Sequence, residues 1–327
     1  MNTKDLDCNS LGDIYGVNGK KLQRQYRDYL SDFKKWDQLT HARDWLIFPQ
    51  NIGKRLSIDE VALSQGELYT IITNKKAKGR AGSIVAIVKG TTSSEVIQRV
   101  NKIATSKRRK VEEITLDMAG SMKQIVKVCF PLAKQVTDRF HVQKLASEAV
   151  QEVRIKYRWK SIDKENRAIA EAKTLGKTYK EEMLSNSDTV RQLLARSRYL
   201  LFKSPDKWTV KQKERSKILF DLYPKIKTAY QLSNQLRIIY NSSIEKGVAM
   251  TKLAQWYNEV ENSNFKSFKS IMNTISLNYK TILNYFDDRS TNAAAESFNA
   301  KIKAFRSRFR GVKNVEFFLF RLTNIYA

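Results

Sequence analysis

Hydrophobic spacing changes twice along the chain, and each change marks a different kind of element. In residues 1–50 the spacing is helical: Leu22, Tyr26, Tyr29 or Leu30, and Phe33 fall on one side, leaving Lys20, Arg24, Arg27 and Lys34 largely on the other. Gly16-Val17-Asn18-Gly19 reads as a turn ahead of that helix. From Arg55 to Arg139 the pattern shortens to that of strands. Runs at 56–63, 67–73 and 83–88, separated by Ser-Gln-Gly and Lys/Gly/Arg turns, predict a three-stranded antiparallel meander. Val96, Ile97, Val100 and Ile103 predict an amphipathic helix over 94–106. Val111 to Met122 then reads as a short buried strand with Asp117 at its tip, turned by Gly120 into a helix over 122–130, and 134–137 reads as a fifth strand. The predicted order is β-β-β-α-β-α-β, three antiparallel strands followed by two parallel additions.

From 142 to about 288 the pattern is helical throughout, with breaks near Asn186-Ser187-Asp188, at Ser204-Pro205-Asp206 with Ser204 and Asp206 as caps, at Pro224, and near Asn262-Ser263-Asn264. Trp159, Trp208 and Trp256 are expected to pack between these helices rather than to stack on bases. A last pair of helices follows. The first, capped by Ser290 or Thr291, sets Asn292, Glu296, Asn299 and Lys303 on one face, and its three alanines ahead of Glu296 let it lie close to a sheet. Val315 to Tyr326 closes the domain. The fold class expected is therefore α/β, a mixed five-stranded sheet interrupted by a long all-α insertion. Its divisions are 1–50, a basic helical segment; 51–141, the first part of the core; 142–288, the insertion; and 289–327, the final helices.

Charge adds a partner to this picture. Lysine and arginine number 60 against 33 acids, a net charge of +27, spread along the chain rather than held in a tail. A polyanion is the simplest match, because each phosphate neutralised releases condensed counterions. A solubilising surface has no need of one sign, and an anionic membrane surface is the weaker alternative. The residues expected to meet DNA are Lys20 and Arg24 on the first helix, Arg108 and Arg109 in the knot 107–110, and Lys301, Lys303, Arg306, Arg308 and Arg310 near the end. In the insertion Arg191, Arg196, Arg198, Lys211, Lys213 and Arg215 form partly a solvated face and partly a DNA track. The helix after Gly19 is either the second half of a helix-turn-helix or an amphipathic helix packed on the core. Only Cys8 and Cys129 occur, without a C-x-x-C, so neither a disulfide framework nor a structural zinc site is supported. The longest apolar run, Ile84 to Val88, is too short for a bilayer, and 1–5 lack a signal core, so a cytoplasmic protein is expected.

The chemistry follows from three acids far apart in sequence. Breaking a phosphodiester without a covalent enzyme intermediate calls for an activated water or 3′-hydroxyl and a stabilised leaving oxygen, and two Mg²⁺ ions serve both needs. Magnesium prefers oxygen ligands and few protein carboxylates. Asp59 on the first predicted strand, Asp117 at the tip of the fourth and Glu296 on the late helix would suffice if they converge.

The segments Ser57-Ile58-Asp59-Glu60, Leu116-Asp117-Met118, Phe130-Pro131-Leu132-Ala133 followed by Asp138-Arg139-Phe140-His141-Val142, and 295–303 around Glu296 resemble the DDE transposases of bacterial insertion sequences, ISL3 type. That resemblance covers about residue 45 onward and implies a ribonuclease H-like fold. It makes Asp59, Asp117 and Glu296 the metal-binding triad for two Mg²⁺ ions, with Mn²⁺ as a substitute. Asp138, His141 and Asn299 are accessory candidates. Asp138 is expected to cap the helix beginning near His141 rather than to bind metal, and His141 is either structural or in touch with the scissile phosphate. Glu60 is expected on the opposite face of its strand. The implied activity is Mg²⁺-dependent cleavage at transposon ends and transfer of the freed 3′-hydroxyl into target DNA, by a DNA-assembled homodimer at the bacterial nucleoid. A non-catalytic DNA-binding protein and a structure-selective nuclease on the same fold are the alternatives. The N-terminal zinc segment and complete helix-turn-helix of longer relatives have no counterpart here, which points to a separately encoded N-terminal DNA-binding protein or to a remnant.

Overall fold

A computed structural model describes residues 6–64, 66–242, 244–308 and 314–327; of the basic residues expected at DNA, Arg310 lies outside this set. The described residues fall into two compact units, one running to Asp138 and resuming with Asp288–Ala327, the other comprising Arg139–Asp287.

The first unit is built on a six-stranded sheet of β1 (Trp45–Ile47), β2 (Arg55–Ser64), β3 (Glu67–Asn74), β4 (Ile84–Lys89), β5 (Glu113–Leu116) and β6 (Lys134–Thr137), in the order β1-β4-β3-β2-β5-β6. β2, β3 and β4 form the antiparallel meander, and β5 and β6 add to β2 in parallel. These five strands have the order and directions expected of a ribonuclease H-like sheet. The sixth, β1, corrects the expected count of five. Its three residues pair antiparallel with β4 and leave too short a run for period-two spacing to mark.

Alternation along β2 sorts the side chains into two layers. Leu56 and Ile58 join the core beneath helices α3 (Ser93–Val100) and α5 (Gly120–Cys129), with Ile114 and Leu116 of β5. Val61 and Leu63 face the other way, against Phe298, Ile302 and Phe305 of the late helix and Leu319 and Leu322 of the last one. The single helix expected over 94–106 is two, α3 and the short α4 (Thr105–Arg108). At the N-terminus, α1 (Cys8–Tyr15) and α2 (Gly19–Gln25) meet tightly. A Cβ added to Gly12 would lie 2.5 Å from the Val17 carbonyl oxygen, and one on Gly19 2.6 Å from the Asn9 Cα. Tyr26 and Phe33 pack on Phe317 and Phe320, and Arg321 donates to the Leu6 carbonyl at 3.0 Å. The packing is made by Tyr26 and Phe33, beyond α2, whereas Tyr29 and Leu30, expected on the packed side, are exposed, as are Lys20 and Arg24.

Among its described residues the second unit has helices and connecting turns and one isolated bridge, Met183 with Thr189. It runs through α6 (Arg139–Thr174), α7 (Val190–Arg196), α8 (Val210–Leu222), α9 (Pro224–Asn241), α10 (Lys246–Ser263), α11 (Lys266–Leu277), α12 (Tyr279–Leu283) and α13 (Tyr285–Asp288). Ser204 stands at the N-cap position of a short turn over Pro205–Lys207 without a side-chain cap bond, while Thr209 caps α8 in a reciprocal box with Gln212 and Thr189 does the same for α7 with Gln192. Trp256 is buried, its Nε1 donating to the Leu232 carbonyl, and Trp208 donates to the Leu200 carbonyl. Trp159 departs from expectation and stands on the surface of α6, 62% exposed. Arg215 leaves the expected DNA track, its guanidinium turned onto the buried Asp188 carboxylate, while Arg196 reaches the same carboxylate from an exposed position.

Candidate active site

The helix α14 (Ala293–Arg308) crosses the sheet of the first unit, followed after 309–313 by α15 (Val315–Tyr326). Burial of Phe298, Ile302 and Phe305 holds it there, each worth roughly 1.5–3 kcal/mol against exposure. Polar latches fix its position along the sheet. The backbone N–H of Asn292 donates to Asp138 Oδ1 at 3.3 Å, Asn299 Nδ2 donates to Asp59 Oδ2 at 2.8 Å, and Lys301 Nζ donates to the Gly79 carbonyl at 2.7 Å. Arg306 reaches the Ala62 and Leu63 carbonyls at 3.0 and 3.3 Å, where the register of β2 shifts.

Beneath this helix the strand register aligns three aspartates. Ser57 pairs with Thr115 and Leu116 with Thr137. Carried on by two residues and by one, that register sets Asp59, Asp117 and Asp138 abreast on β2 and at the tips of β5 and β6, on the α14 face. Asp59 Oδ1 accepts the Glu60 N–H at 2.8 Å, and Asp117 Oδ1 accepts the Ala119 N–H at 2.8 Å, which orients both carboxylates. Glu296 lies on α14 between Asn292, held by Asp138, and Asn299, held by Asp59. Glu60 alternates to the other face, as expected, yet remains electrostatically part of the cluster. Burial first, then the negative charges of Asp117 and Asp59, push its carboxyl above the usual range. Burial lowers the Lys123 ammonium, opposed by Asp117.

The helix that brings Glu296 is anchored at its start partly by groups the sequence does not mark, Lys75 and Glu113. Lys75 Nζ is held by Glu113, by Ser290 and, at 2.8 Å, by Thr115 Oγ1, and Ser290 Oγ donates to Glu113. Ser290 is thus a tie to the sheet rather than the cap expected of it, and Asp138 supports the start of α14 from across the sheet. Burial lowers the Lys75 ammonium, against the opposing pull of Glu113. A lysine after a strand and a glutamate at the start of another look like ordinary surface charges in a linear reading, so only the fold joins them.

A family profile described as a transposase, of the DDE ISL3 group, matches residues 56–322. The chain belongs to the ISL3-type DDE transposase family. Two Mycobacterium tuberculosis proteins, from strains CDC 1551 / Oshkosh and ATCC 25618 / H37Rv, each named as the transposase for insertion sequence element IS1557, are 23% identical over 270 residues, covering 80% of this chain. The chain spans 59% of the length of these curated relatives. Among solved structures, the Drosophila P element transposase strand transfer complex is similar at a TM-score of 0.38 with 11% identity, over 96% of this chain and 87% of that one.

In this ISL3-type family member the other expected site residues fall as follows. His141 lies in the first turn of α6, in the second unit, its ring edge-on to Phe140 at 6.0 Å. Arg108 is corrected: it is buried, and its guanidinium donates to the carbonyls of Ile103 at 2.9 Å and Cys129 at 2.7 Å and to Thr105 Oγ1 at 3.1 Å. A guanidinium so engaged staples α4 to α5 and is withdrawn from phosphates. Arg109, Lys303 and Arg308 are exposed. Both cysteines are free and buried, and among the described residues no helix is long and apolar enough to cross a membrane.

Proposed function

We propose that the protein cleaves DNA at transposon ends and joins the freed 3′-hydroxyl to target DNA, with Asp59, Asp117 and Glu296 as the reacting centre. One observation carries the reading: two aspartates abreast on adjacent strands lie under the helix that bears Glu296, and that helix is latched to one of them by the Asn299–Asp59 hydrogen bond.

The donor chemistry fits Mg²⁺. All three side chains offer hard carboxylate oxygens, the ligands that Mg²⁺ prefers. Among the described residues no three His, Cys, Asp or Glu form a group able to hold a metal ion. Magnesium needs no such cage, being commonly held by one or two carboxylates, water and substrate phosphate. Asp59 and Asp117 would hold it, with Glu296 completing the set. When bound, the ions neutralise charge on the phosphate and favour an attacking oxygen at neutral pH. The chain itself orients the carboxylates: Asn299 fixes Asp59 Oδ2, and the Ala119 amide fixes Asp117 Oδ1. Exposed Lys20, Arg24, Arg109, Lys303 and Arg308 hold DNA phosphates nonspecifically. Mn²⁺ is expected to replace Mg²⁺, and end recognition is assigned to a separate helix-turn-helix protein.

The test is cleavage of duplex DNA bearing the element's terminal repeats. Asp59→Asn, Asp117→Asn and Glu296→Gln should each lose cleavage and strand transfer by at least about a thousandfold, of the order removed with a main electrostatic contributor. Melting temperature and salt-sensitive DNA binding should stay near wild type. Strand transfer retained by Asp117→Asn would remove the assignment. Cutting of flaps or junctions without preference for the repeats would instead make the protein a nuclease, and equal binding without any nicking in Mg²⁺ would make it a DNA-binding protein only.

A further inference from the structure

The C-terminal half of α6 carries an apolar stripe that its own unit does not use. Ile155, Trp159, Ile162, Asn166, Ile169 and Lys173 succeed one another at spacings of four, three, four, three and four residues. That is the seam of a coiled coil, with Ile155, Ile162 and Ile169 at one core position and Trp159, Asn166 and Lys173 at the other. Ile155 is 41%, Trp159 62% and Ile169 43% exposed. The opposite face of the same helix is the one that packs. Tyr157, Lys164 and Ala168 line a cavity of about 410 Å³ together with Tyr179 and Tyr223. The rings of Tyr157 and Tyr223 lie 4.9 Å apart, and Glu165 pairs with Arg191 at 3.5 Å. An apolar stripe turned away from the helix's own packing face costs solubility unless something covers it.

We propose that the stripe is a dimerisation seam, covered by the same segment of a second copy in a short parallel two-stranded coiled coil. Two features of the sequence select that occupant. In a parallel pair, Arg158 on one flank of the seam meets Asp163 of the second copy on the facing flank, and symmetry repeats this attraction. Asn166 meets Asn166 across the axis, the polar core layer that fixes register and a two-stranded state at a cost in stability. An antiparallel pair would set Asn166 against isoleucine. The seam also has a defined start. Glu152 and Glu148, exposed one and two turns earlier on the same face, would repel their copies, so the helices part ahead of Ile155. The seam is a structural property independent of the cleavage assigned above, and its failure would leave that assignment standing.

The experiment is sedimentation equilibrium of the full chain without DNA or divalent cation. A seam of about two heptads should give a weak dimer, with a dissociation constant on the order of 10 μM. Trp159→Glu should weaken it at least about thirtyfold, as loss of a central aromatic anchor does, with unchanged helical circular dichroism because the side chain is exposed. Asn166→Val should tighten self-association roughly tenfold, which a merely structural asparagine would not do. Arg158→Asp and Asp163→Arg should each weaken self-association, while a mixture of the two variants should recover wild-type affinity as a heterodimer, since each facing flank then carries opposite charges. A wild-type chain that stays monomeric at about 500 μM, far above the expected constant, overturns the proposal. So does a Trp159→Glu chain that dimerises like wild type, or a charge-reversed mixture no tighter than its components.

Discussion

At the scale of the residue, the candidate site rests on small orienting contacts around the carboxylates. Asn299 spends its amide on Asp59 Oδ2, so Asn299→Ala should lower cleavage about 10–100-fold, the usual cost of losing an orienting partner behind a metal ligand. Titration of Mn²⁺ binding by the variant should show a matching drop in affinity with no change in melting temperature. Arg108 makes the opposite prediction. Two of its three donated hydrogen bonds are buried, so Arg108→Ala should destabilise the chain by about 2–4 kcal/mol in urea unfolding, and the salt dependence of DNA binding should stay as in wild type. The acids are readable in sequence because the chemistry admits few residue types and each sits at a strand tip or on a helix with a marked face. Arg108 is not, because four consecutive basic residues look alike until a fold turns one of them inward onto carbonyls.

At the scale of the element, supports reach across long sequence separations. Asp138 bears the start of α14, 154 positions away in sequence, so Asp138→Ala should cost about 1 kcal/mol in the manner of a lost cap. Hydrogen exchange should rise first at residues 293–297 if that support is real. In the helical unit Asp188 ties α7 to α8 through two guanidiniums. Burial opposes its ionised form, but the hydrogen bonds from Arg215 and Arg196 outweigh it and hold its carboxyl below its ordinary value near 3.8. A carboxyl lowered on folding stabilises the native state above that value and loses the contribution as pH falls through it toward the folded-state pKa. Thermal stability of the helical unit should therefore decline below about pH 4, and Asp188→Ala should abolish that dependence while costing about 3 kcal/mol at neutral pH. The strand pattern of the meander is legible because its runs alternate between two cores. The cap at Thr209 escapes a linear reading because Ser204 ahead of Pro205 satisfies the same local rule and heads only a single short turn, and the start of the longer helix is marked by the structure alone. Trp159 misleads for a similar reason: helical spacing says that a stripe is buried, not by whom.

At the scale of the whole molecule, the charge of +27 should appear as a steep ionic-strength dependence. If about eight phosphates are neutralised, log affinity should fall with log salt at a slope near −7 in fluorescence anisotropy with random duplex DNA. A slope near zero would mean that the basic faces serve solubility. The sequence division rests on the change of period near residue 140 and its reversal near 290; the compact units of the structure change at Asp138 and Asp288.

The hydrogen bond between Asn292 and Asp138 has a consequence for how such a chain can be assembled. The backbone leaves the sheet and comes home at neighbouring points, so the intervening helices form a detour that asks no stretch of the sheet it interrupts. A few glycines and serines joining residue 139 directly to residue 289 should leave a sheet unit that melts cooperatively on its own, Lys75, Glu113 and Ser290 still closing the return. Loss of that melt would mean that the sheet unit does not fold without the helical residues.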